Sequence, residues 1–350
     1  MSEELIGKLQ GSRVKFGPEA MIELHDQSHF GRPSGKGLDL SLIEAAYLLD
    51  RSKIKINSID GKLDFRDFIL LSSALEKGFE FKYLVYKDLR ERGYCVKPGR
   101  PDFRIYPRGG HPGKTPAEFY VLAISERMPL PLREAVEAAK LAGRMRKKLM
   151  IAIVDEESDI TFYEAKEKVL SGRMSQEEQA GIATLLEDRV VLWDIEASKK
   201  LHQRGFFGKP VGERLQLSLV ESAYLLNKGL IKLVDRTGHP VDLNGLKERA
   251  RQIEDEFDTK YVVYKDLRDR KMVAKTGFKF GTHFRVYKNV ENVEKVPHSE
   301  YLVHTVSIDY VFVLPVLSRA IRLAHSVRKK MIFAYQDKTV QYLEIERLRP

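Results

Sequence analysis

Two periodicities of apolar residues occur along the chain and predict a mixed α/β protein. Apolar residues spaced three and four apart predict helices at Ser41–Asp50, Tyr86–Arg92, Ser218–Asn227, Asn244–Phe257 and Tyr264–Arg270. Alternating apolar and polar residues predict strands at Phe103–Tyr106, Tyr120–Ile124, Phe284–Tyr287 and Tyr301–Val306. Longer helices are predicted at Leu130–Lys148 and Leu314–Lys330. The first of these helices precedes two predicted strands at Leu149–Val154 and Ile160–Tyr163. The second precedes two predicted strands at Met331–Tyr335 and Val340–Ile345.

The order of elements occurs twice because the sequence is duplicated. Leu38–Leu49 returns as Leu215–Leu226, and Lys82–Arg90 returns as Lys260–Arg268. A period this long indicates duplicated domains, since solenoid repeats span about 20–50 residues. Each repeat is expected to hold a helical or mixed N-terminal part and an α/β C-terminal part. The predicted units are residues 1–79 and 80–165 of repeat 1 and residues 166–258 and 259–350 of repeat 2, with the junction between repeats at Tyr163–Gly181.

The composition favours a folded, soluble, cytoplasmic protein with an anionic partner. Hydrophobic residues make up 43% of the 350 residues, and the single cysteine, Cys95, excludes an intrachain disulfide. No apolar stretch approaches the roughly 20 residues that a membrane span needs, so no membrane is expected. Residues 1–180 hold 30 Lys and Arg against 28 Asp and Glu, and residues 181–350 hold 30 against 22. The basic second half suits a phosphate backbone, although a solvated basic surface is the simpler alternative.

The two repeats differ at one titratable position. Repeat 2 contains Tyr287, His298 and Lys329. Aligned on Glu118 and Glu300, repeat 1 offers the corresponding residues Tyr106, Pro116 and Lys147. A complete tyrosine, histidine and lysine set is therefore expected in repeat 2 alone.

These three residue types suit cleavage of RNA by its own 2′-hydroxyl. A base must take the 2′-hydroxyl proton, an acid must protonate the departing 5′-oxygen, and a cation offsets charge on the phosphorane. Histidine can give a proton near neutral pH, and lysine supplies charge without a metal. A tyrosine with its ordinary pKa of about 10 is a poor base, so a neighbouring cation is expected to lower that pKa.

Several segments together resemble the archaeal tRNA-splicing endonucleases of the tandem-repeat, homodimeric class. The segments are Tyr261–Arg268, Gly277–Gly281, His283–Tyr287, His298 before the Tyr301 strand, and the basic helix that leads to Lys329. The resemblance covers nearly the whole chain. It implies a restriction-endonuclease-like α/β domain at the C-terminal end of each repeat, a homodimer, and precursor tRNA with a bulge–helix–bulge shape as substrate.

The resemblance also implies roles for the site residues. Tyr287 would be the general base, His298 the general acid and Lys329 the stabiliser of the transition state. The products would carry a 2′,3′-cyclic phosphate and a 5′-hydroxyl, and no metal or other cofactor would take part. Family arginines clamp a bulged base across the dimer by cation–π contact. Arg322 matches one of them, and Arg347 is preferred over Arg349 for the other.

One more expectation from the resemblance concerns assembly. In this family an acidic loop of the non-catalytic unit docks into a basic pocket of the opposing catalytic unit. The matching residues in repeat 1 are Asp155, Glu156, Glu157 and Asp159, whereas the turn Gln336–Lys338 of repeat 2 has no such cluster. The simpler interpretation is an ordinary acidic surface turn.

Simpler interpretations exist for the site as well. Tyr287 could be a strand tyrosine at a sheet edge, and Lys329 could belong to a basic cluster at a helix end. His283, His304 and His325 show that nearby histidines need no catalytic role. Two other functions remain alternatives: a metal-dependent nuclease of similar fold, for which repeat 2 lacks an acidic pair beside Tyr287 or Lys329, and a non-catalytic RNA-binding or scaffold protein.

Overall fold

The computed structural model describes residues 4–59, 61–174 and 181–350, and its strands follow the duplication. The strands of repeat 1 are β1 (Ile6–Gln10), β2 (Arg13–Phe16), β3 (Arg32–Ser34), β4 (Gly37–Ser41), β5 (Lys55–Ser58), β6 (Gly61–Leu63), β7 (Cys95–Pro98), β8 (Phe103–Tyr106), β9 (Phe119–Ser125), β10 (Leu130–Pro131), β11 (Lys148–Val154) and β12 (Ile160–Glu167). Those of repeat 2 are β13 (Gly181–Leu185), β14 (Val190–Leu192), β15 (Lys209–Val211), β16 (Arg214–Leu217), β17 (Ile231–Val234), β18 (Val273–Thr276), β19 (Phe284–Tyr287), β20 (Tyr301–Val306), β21 (Val311–Phe312), β22 (Lys330–Gln336) and β23 (Val340–Leu348).

The helices are duplicated in the same way. Those of repeat 1 are α1 (Leu42–Asp50), α2 (Phe65–Leu75), α3 (Phe79–Glu91) and α4 (Leu132–Arg144), with a π-helical segment at Met21–Gln27. Those of repeat 2 are α5 (Ile195–Gly205), α6 (Leu219–Asn227), α7 (Leu243–Arg251), α8 (Phe257–Asp269) and α9 (Leu314–Ser326), with a 3₁₀ turn at Phe278–Phe280. Helices α1 and α6 begin in matching capping boxes, in which Ser41 pairs with Glu44 and Ser218 pairs with Glu221.

The C-terminal parts of the two repeats share one sheet. Its order, over the described residues, is β18-β19-β20-β22-β23-β12-β11-β9-β8-β7. The halves join where β12 pairs antiparallel with β23, from Phe162 opposite Leu348 to Glu167 opposite Leu343. This pairing explains why both strands run beyond the predicted ends at Tyr163 and Ile345, since the partner lies in the other repeat.

The two faces of this sheet are covered differently. Helices α4 and α9 contribute to one shared core, in which Leu132 and Leu314 are buried together with Leu343 and Ile345. On the other face, each N-terminal part forms a continuous core with its own C-terminal part. The fold prediction, a pair of tandem repeats each with a mixed N-terminal part and an α/β C-terminal part, is confirmed.

A buried ion pair links the N-terminal and C-terminal parts in each repeat. In repeat 1 the Lys97 Nζ donates to Glu44 Oε1 at 3.0 Å, and in repeat 2 the Lys275 Nζ donates to Glu221 Oε1 at 2.8 Å. Lys97 also donates to the carbonyl oxygen of Gly31, and Lys275 donates to that of Gly208. Removing one partner would leave a buried charge, so these pairs favour one fixed placement of the two parts.

The N-terminal parts contain sheets that were not predicted as strands. In repeat 1 the order is β3-β4-β2-β1-β5-β6, and in repeat 2 it is β15-β16-β14-β13-β17. Some helix bounds were also predicted wrongly. The segment Asn244–Phe257 is not one helix, because α7 ends at Arg251 and α8 begins at Phe257.

The helices before the final strands are shorter than predicted. They end at Arg144 and Ser326, because Arg146 and Arg328 adopt left-handed backbone angles, with φ of 55° each, that turn the chain into the next strand. Part of the predicted junction between repeats, residues 175–180, lies outside the described residues, as do residues 1–3. Within the described chain, no helix is long and apolar enough to cross a membrane. Cys95 is a free, buried cysteine.

Candidate active site

The site of repeat 2 is assembled by the backbone of Glu300, where three strands begin or end. The Glu300 N–H donates to the carbonyl oxygen of Val286 in β19 at 3.1 Å, and its own carbonyl accepts from the Lys330 N–H of β22 at 3.0 Å. Its carboxylate accepts from the Lys288 N–H at 3.2 Å. The end of β19 and the starts of β20 and β22 are therefore held together, and these carry Tyr287, His298 and Lys329.

Tyr287 ends β19 and is only 3% exposed. Its ring packs edge-on against Phe206, with 6.3 Å between ring centroids, in a small apolar cluster that includes Met174. Burial raises the pKa of Tyr287, and Arg285 acts in the opposite direction. The expected lowering by a neighbouring cation is therefore present but is outweighed by burial, and the phenol stays protonated near neutral pH.

Lys329 lies in the turn that redirects the chain from α9 into β22. Its backbone N–H donates to the Ala324 carbonyl at 2.8 Å, and its Nζ donates to the Ser299 carbonyl at 2.9 Å. Because Ser299 follows His298 in the chain, this bond fixes the lysine beside the histidine loop. Burial lowers the pKa of Lys329, and the charge of Arg285 lowers it further.

His298 lies on the exposed loop that leads into β20. Its ring forms no hydrogen bond with any residue that the structure describes, whereas the next residue, Ser299, is 4% exposed and held by Lys329. Ser299 is therefore buried, whereas the His298 imidazole faces solvent. Such an arrangement leaves the imidazole free to donate a proton to a bound ligand.

Arg285 is a site residue that the sequence analysis missed. It lies two residues before Tyr287 in β19, so both side chains lie on the same face of the sheet. Its guanidinium carbon is 6.0 Å from the centre of the Tyr287 ring, and its buried Nε has no hydrogen-bond partner among the described residues. The alternation in Phe284–Tyr287 was the signal that could have placed it there. Arg285 therefore lies beside the tyrosine, and its charge also acts on Lys329.

Repeat 1 has the same frame without the histidine. The Glu118 N–H donates to the Ile105 carbonyl at 2.7 Å, and the Lys148 N–H donates to the Glu118 carbonyl at 3.1 Å, which matches the bonds of Glu300. Pro116 thus lies two residues before Glu118, as His298 does before Glu300. Tyr106 is also buried, and burial raises its pKa.

Two of the nearby histidines, His283 and His304, stack on each other apart from His298. The His283 Nδ1 accepts from the Thr305 N–H at 2.9 Å, so its Nε2 carries the proton that is donated to Glu256 at 2.9 Å. The His283 ring stacks on His304, with 4.5 Å between centroids. His325 is exposed on α9. The contacts of His283 and His304 agree with the interpretation of both as local structural residues.

The two predicted clamp arginines lie apart from the tyrosine pocket. Arg322 is exposed on α9, and Arg347 is exposed on β23 opposite Tyr163 of β12. The Tyr163 hydroxyl donates to the Ser318 Oγ of α9 at 2.9 Å, so Arg347 lies on the α9 side of the sheet. No contact between Arg322 and Arg347 is seen in the described protomer. Arg349 follows β23 and is exposed.

The acidic loop is an ordered turn between β11 and β12. The Asp155 Oδ1 accepts from the N–H groups of Glu157 at 3.0 Å and Asp159 at 2.8 Å. The carboxylate of Glu156 forms an ion pair with Arg127 at 2.6 Å. The side chains of Glu157 and Asp159 point to solvent without an ion pair in the described chain, so the turn presents negative charge in a fixed shape.

Among the described residues, no group of three histidine, cysteine, aspartate or glutamate side chains is placed to hold a metal ion. The positive charge at the site comes from Arg285 and Lys329. The groups available for chemistry are a tyrosine with Arg285 beside it and a histidine loop held by Lys329, which suit proton transfer and charge stabilisation at a phosphodiester.

Comparison with protein families agrees with this arrangement. The model described as the tRNA intron endonuclease, catalytic C-terminal domain, matches residues 79–162 and 257–342, and the model of the N-terminal domain of the same family matches residues 5–69 and 181–247. The chain belongs to the tRNA intron endonuclease family. Both domains of this family are duplicated here, and the family's catalytic-domain model matches the unit that lacks the histidine as well as the one that holds it.

Named relatives span the whole chain. A tRNA-splicing endonuclease from Methanococcoides burtonii is 51% identical over 342 residues, which cover 96% of this chain and 97% of the relative. One from Methanosarcina mazei is 52% identical and covers 98% of each chain. One from Halobacterium salinarum is 38% identical over 98% of this chain and 99% of the relative. The match to the tRNA intron endonuclease family is therefore not confined to one repeat or one domain.

Proposed function

We propose that this chain removes introns from precursor tRNA by cutting RNA at bulge–helix–bulge sites. The observation that carries the proposal is the hydrogen bond from Lys329 to Ser299, which fixes a lysine beside His298 in the repeat that has this histidine. Family membership and full-length relatives named tRNA-splicing endonuclease support the substrate class.

The proposed reaction is an internal transfer of the phosphodiester. The Tyr287 phenolate takes the 2′-hydroxyl proton, and the 2′-oxygen attacks phosphorus while the bond from phosphorus to the 5′-oxygen breaks. His298 in its protonated form gives a proton to the departing 5′-oxygen. The products are a 2′,3′-cyclic phosphate and a 5′-hydroxyl, so no water is consumed in this step.

The proposed stabiliser of the transition state is Lys329, assisted by Arg285. Both side chains are cationic, and a partly desolvated cation interacts more strongly with developing phosphorane charge than one in bulk water. Arg285 has a second effect, because it opposes the rise in the pKa of Tyr287 that burial causes. This charge supports a mechanism without a metal ion.

We also propose assembly and substrate contacts that involve a second copy of the chain. Arg322 of one protomer and Arg347 of its partner would hold a bulged base between two guanidinium groups, with Arg349 as the alternative to Arg347. The ordered turn with Asp155, Glu156, Glu157 and Asp159 would dock on a basic pocket of the opposing catalytic unit. The proposed location of the homodimer is the cytoplasm.

The test is cleavage of a short bulge–helix–bulge RNA in excess EDTA by three proteins: wild type, His298→Ala and His325→Ala. His325 is exposed on α9 outside the site and serves as the matched control. We expect metal-free cutting by wild type and by His325→Ala that leaves cyclic phosphate, and a decrease of about 10²–10⁴-fold in His298→Ala. No cutting without magnesium would favour the metal-dependent nuclease. If all three proteins bind the RNA equally and none cuts it in any condition, a non-catalytic RNA-binding protein would be favoured.

A further inference from the structure

The outward face of the five-stranded sheet in repeat 2 carries a row of exposed side chains. The pairing of β16, β14, β13 and β17 places Arg214, Trp193, Ile182 and Lys232 side by side across the sheet. Trp193 follows β14 directly and is 48% exposed, and Ile182 is 58% exposed. We call these four residues the tryptophan row. An indole on an open sheet face is unusual because aromatic residues are mostly buried.

The indole of the row is fixed in orientation but not covered. Its Nε1 donates to the Thr184 Oγ1 at 2.9 Å, and the guanidinium carbon of Arg214 lies 5.4 Å from the ring centroid. Trp193 and Ile182 also line an open recess of about 480 Å³ together with Lys200. A ring that is already held in place loses little conformational entropy when a flat ligand stacks on it.

Repeat 1 lacks the tryptophan and the arginine of the row. The pairing of Phe16 with Leu38 corresponds to that of Leu192 with Leu215, so Gly17 and Gly37 occupy the positions of Trp193 and Arg214. A Cβ at Gly37 would lie 2.2 Å from the Phe16 carbonyl oxygen, so no side chain fits there. The row therefore belongs to the repeat that holds His298.

A helix connects the row to the candidate active site. Asp194, next to Trp193, caps the start of α5, and the residue after α5, Phe206, packs against Tyr287 at 6.3 Å. The 11 residues of α5 span about 16 Å at 1.5 Å per residue. An RNA cut beside Tyr287 could reach the row within a few nucleotides.

The charge of this surface suits a nucleic acid. Arg214, Lys232 and Lys200 form no ion pair with any described residue. The two acidic residues that line the recess are engaged, because the Asp194 carboxylate accepts from the Ala197 N–H at 2.7 Å and Glu196 pairs with Lys199 at 3.2 Å. Aromatic rings flanked by free cations bind unpaired nucleotides, since every base offers a flat face and every linkage a negative charge.

We infer that the tryptophan row is an RNA-binding site, on which an unpaired base of the substrate stacks against Trp193 while Arg214 and Lys232 hold neighbouring phosphates. The inference rests on the proposed function, because it takes the substrate to be an RNA with unpaired bases. It adds a contact in the N-terminal part of repeat 2, away from the cut.

The experiment uses Trp193 as its own probe, since it is the only tryptophan in the 350 residues. The His298→Ala protein is titrated with a fluorescein-labelled bulge–helix–bulge RNA. Binding is followed by anisotropy, and the same samples give the tryptophan emission and its quenching by acrylamide, which is uncharged. We expect saturating RNA to lower both the emission and the acrylamide accessibility of Trp193.

Variants then test whether the contact contributes to binding. Trp193→Leu should weaken RNA binding about 5-fold or more, whereas Trp193→Phe, which keeps a stacking ring, should retain most of it. Arg214→Gln and Lys232→Gln should each reduce the slope of log affinity against log salt by about one. Ile182→Ala should weaken binding, and Ile6→Ala, at the equivalent exposed position of repeat 1, should not.

The outcomes separate this inference from the proposed function. RNA that binds with unchanged Trp193 emission and accessibility, and binds Trp193→Leu equally well, overturns the inference and leaves the proposed function intact. Absence of RNA binding overturns both. A third outcome is protection of Trp193 from acrylamide in the absence of RNA. If this protection rises with protein concentration together with the sedimentation mass, the row is an interface between two copies, and the inference is overturned. Far-ultraviolet circular dichroism of Trp193→Leu against Trp193→Phe shows whether a loss of binding reflects folding.

Discussion

The guanidinium carbon of Arg285 lies 6.0 Å from the centre of the Tyr287 ring, and the same charge lowers the pKa of Lys329. Burial alone would keep the Tyr287 phenol protonated, so the arginine is the group that moves this tyrosine toward the form a base requires. Removing Arg285 should therefore affect chemistry more than binding.

We predict that Arg285→Gln lowers the rate of RNA cleavage on the order of 10²-fold, because one charge beside the phosphorane is lost and the pKa of Tyr287 rises further. Single-turnover cleavage at saturating enzyme measures this rate. The matched control is Arg104→Gln, since Arg104 holds the corresponding position beside Tyr106 in repeat 1. Equal losses in both variants, or a lower melting temperature for Arg285→Gln alone, would point to a structural role.

A second prediction concerns the pH dependence of the proposed base. Burial raises the pKa of Tyr287, so below that pKa the phenolate fraction increases tenfold with each pH unit. In His298→Ala no histidine acid titrates, and residual cleavage should rise about tenfold per unit between pH 6 and pH 9. The double variant Tyr287→Phe with His298→Ala gives the rate due to hydroxide. Identical rates in the single and double variants at every pH would remove Tyr287 from the role of base.

A third prediction concerns Arg322. If it clamps a bulged base, Arg322→Ala should weaken the binding of bulge–helix–bulge RNA more than that of a linear RNA of the same length and charge. Arg319, exposed on the same helix, provides the control variant. Both substrates losing affinity equally, or Arg319→Ala matching Arg322→Ala, would indicate only general attraction to phosphate.

A fourth prediction concerns the acidic turn. Changing Asp155, Glu156, Glu157 and Asp159 to their amides together should lower the sedimentation mass at micromolar protein, because the proposed contact with a basic pocket would be lost. Asp155 also accepts two backbone hydrogen bonds within the turn, so a version that keeps Asp155 separates loss of charge from loss of shape. A mass unchanged in both versions would rule out docking by this turn.

The C-terminal parts could be predicted well from local patterns. Strand alternation at Phe284–Tyr287 and the three-and-four spacing in α9 are properties of short windows, and the structure confirms both elements. The N-terminal sheets could not be recognised from apolar content, since β1 and β2 are four or five residues long and, apart from Ile6, carry polar residues on their open face. The two-residue turn between them, in which Gly11 has φ of 57°, was a usable hairpin signal.

Other features depend on partners far along the chain. The pairing of β12 with β23 joins residues of different repeats, and no local pattern specifies it. The position of Lys329 depends on the left-handed turn at Arg328, which a helix extrapolated to Lys330 would miss. The importance of Arg285 follows from the side of β19 on which it lies. The residue types of the candidate site could thus be chosen from the sequence. The charged groups that surround Tyr287 could not be predicted, because they depend on how the strands pair.

The fifth prediction uses the stacked histidines of the catalytic unit. Burial lowers the pKa of His304 from 6.5 to about 4, with the neighbouring His283 acting in the same direction and Glu256 opposing it. The His304 Nδ1 is buried without a hydrogen-bond partner. Between about pH 4 and pH 6.5, His304 is therefore protonated in the unfolded chain and neutral in the folded chain. The free energy of unfolding is therefore not reduced by His304 above pH 6.5. As the pH falls from 6.5 to 4, this histidine lowers it by about 3 kcal/mol in total.

The position equivalent to His304 in repeat 1 is Leu122, as the matching strand pairs show. His304→Leu should therefore fit the site and remove the proton linkage. From pH 7 to pH 5, wild type should lose about 2 kcal/mol more unfolding free energy than His304→Leu, measured by urea denaturation at each pH. His325→Leu, at an exposed histidine, should behave as wild type. Parallel losses in wild type and His304→Leu would mean that His304 is accessible to protons in the folded state, and the buried stack would then need another explanation.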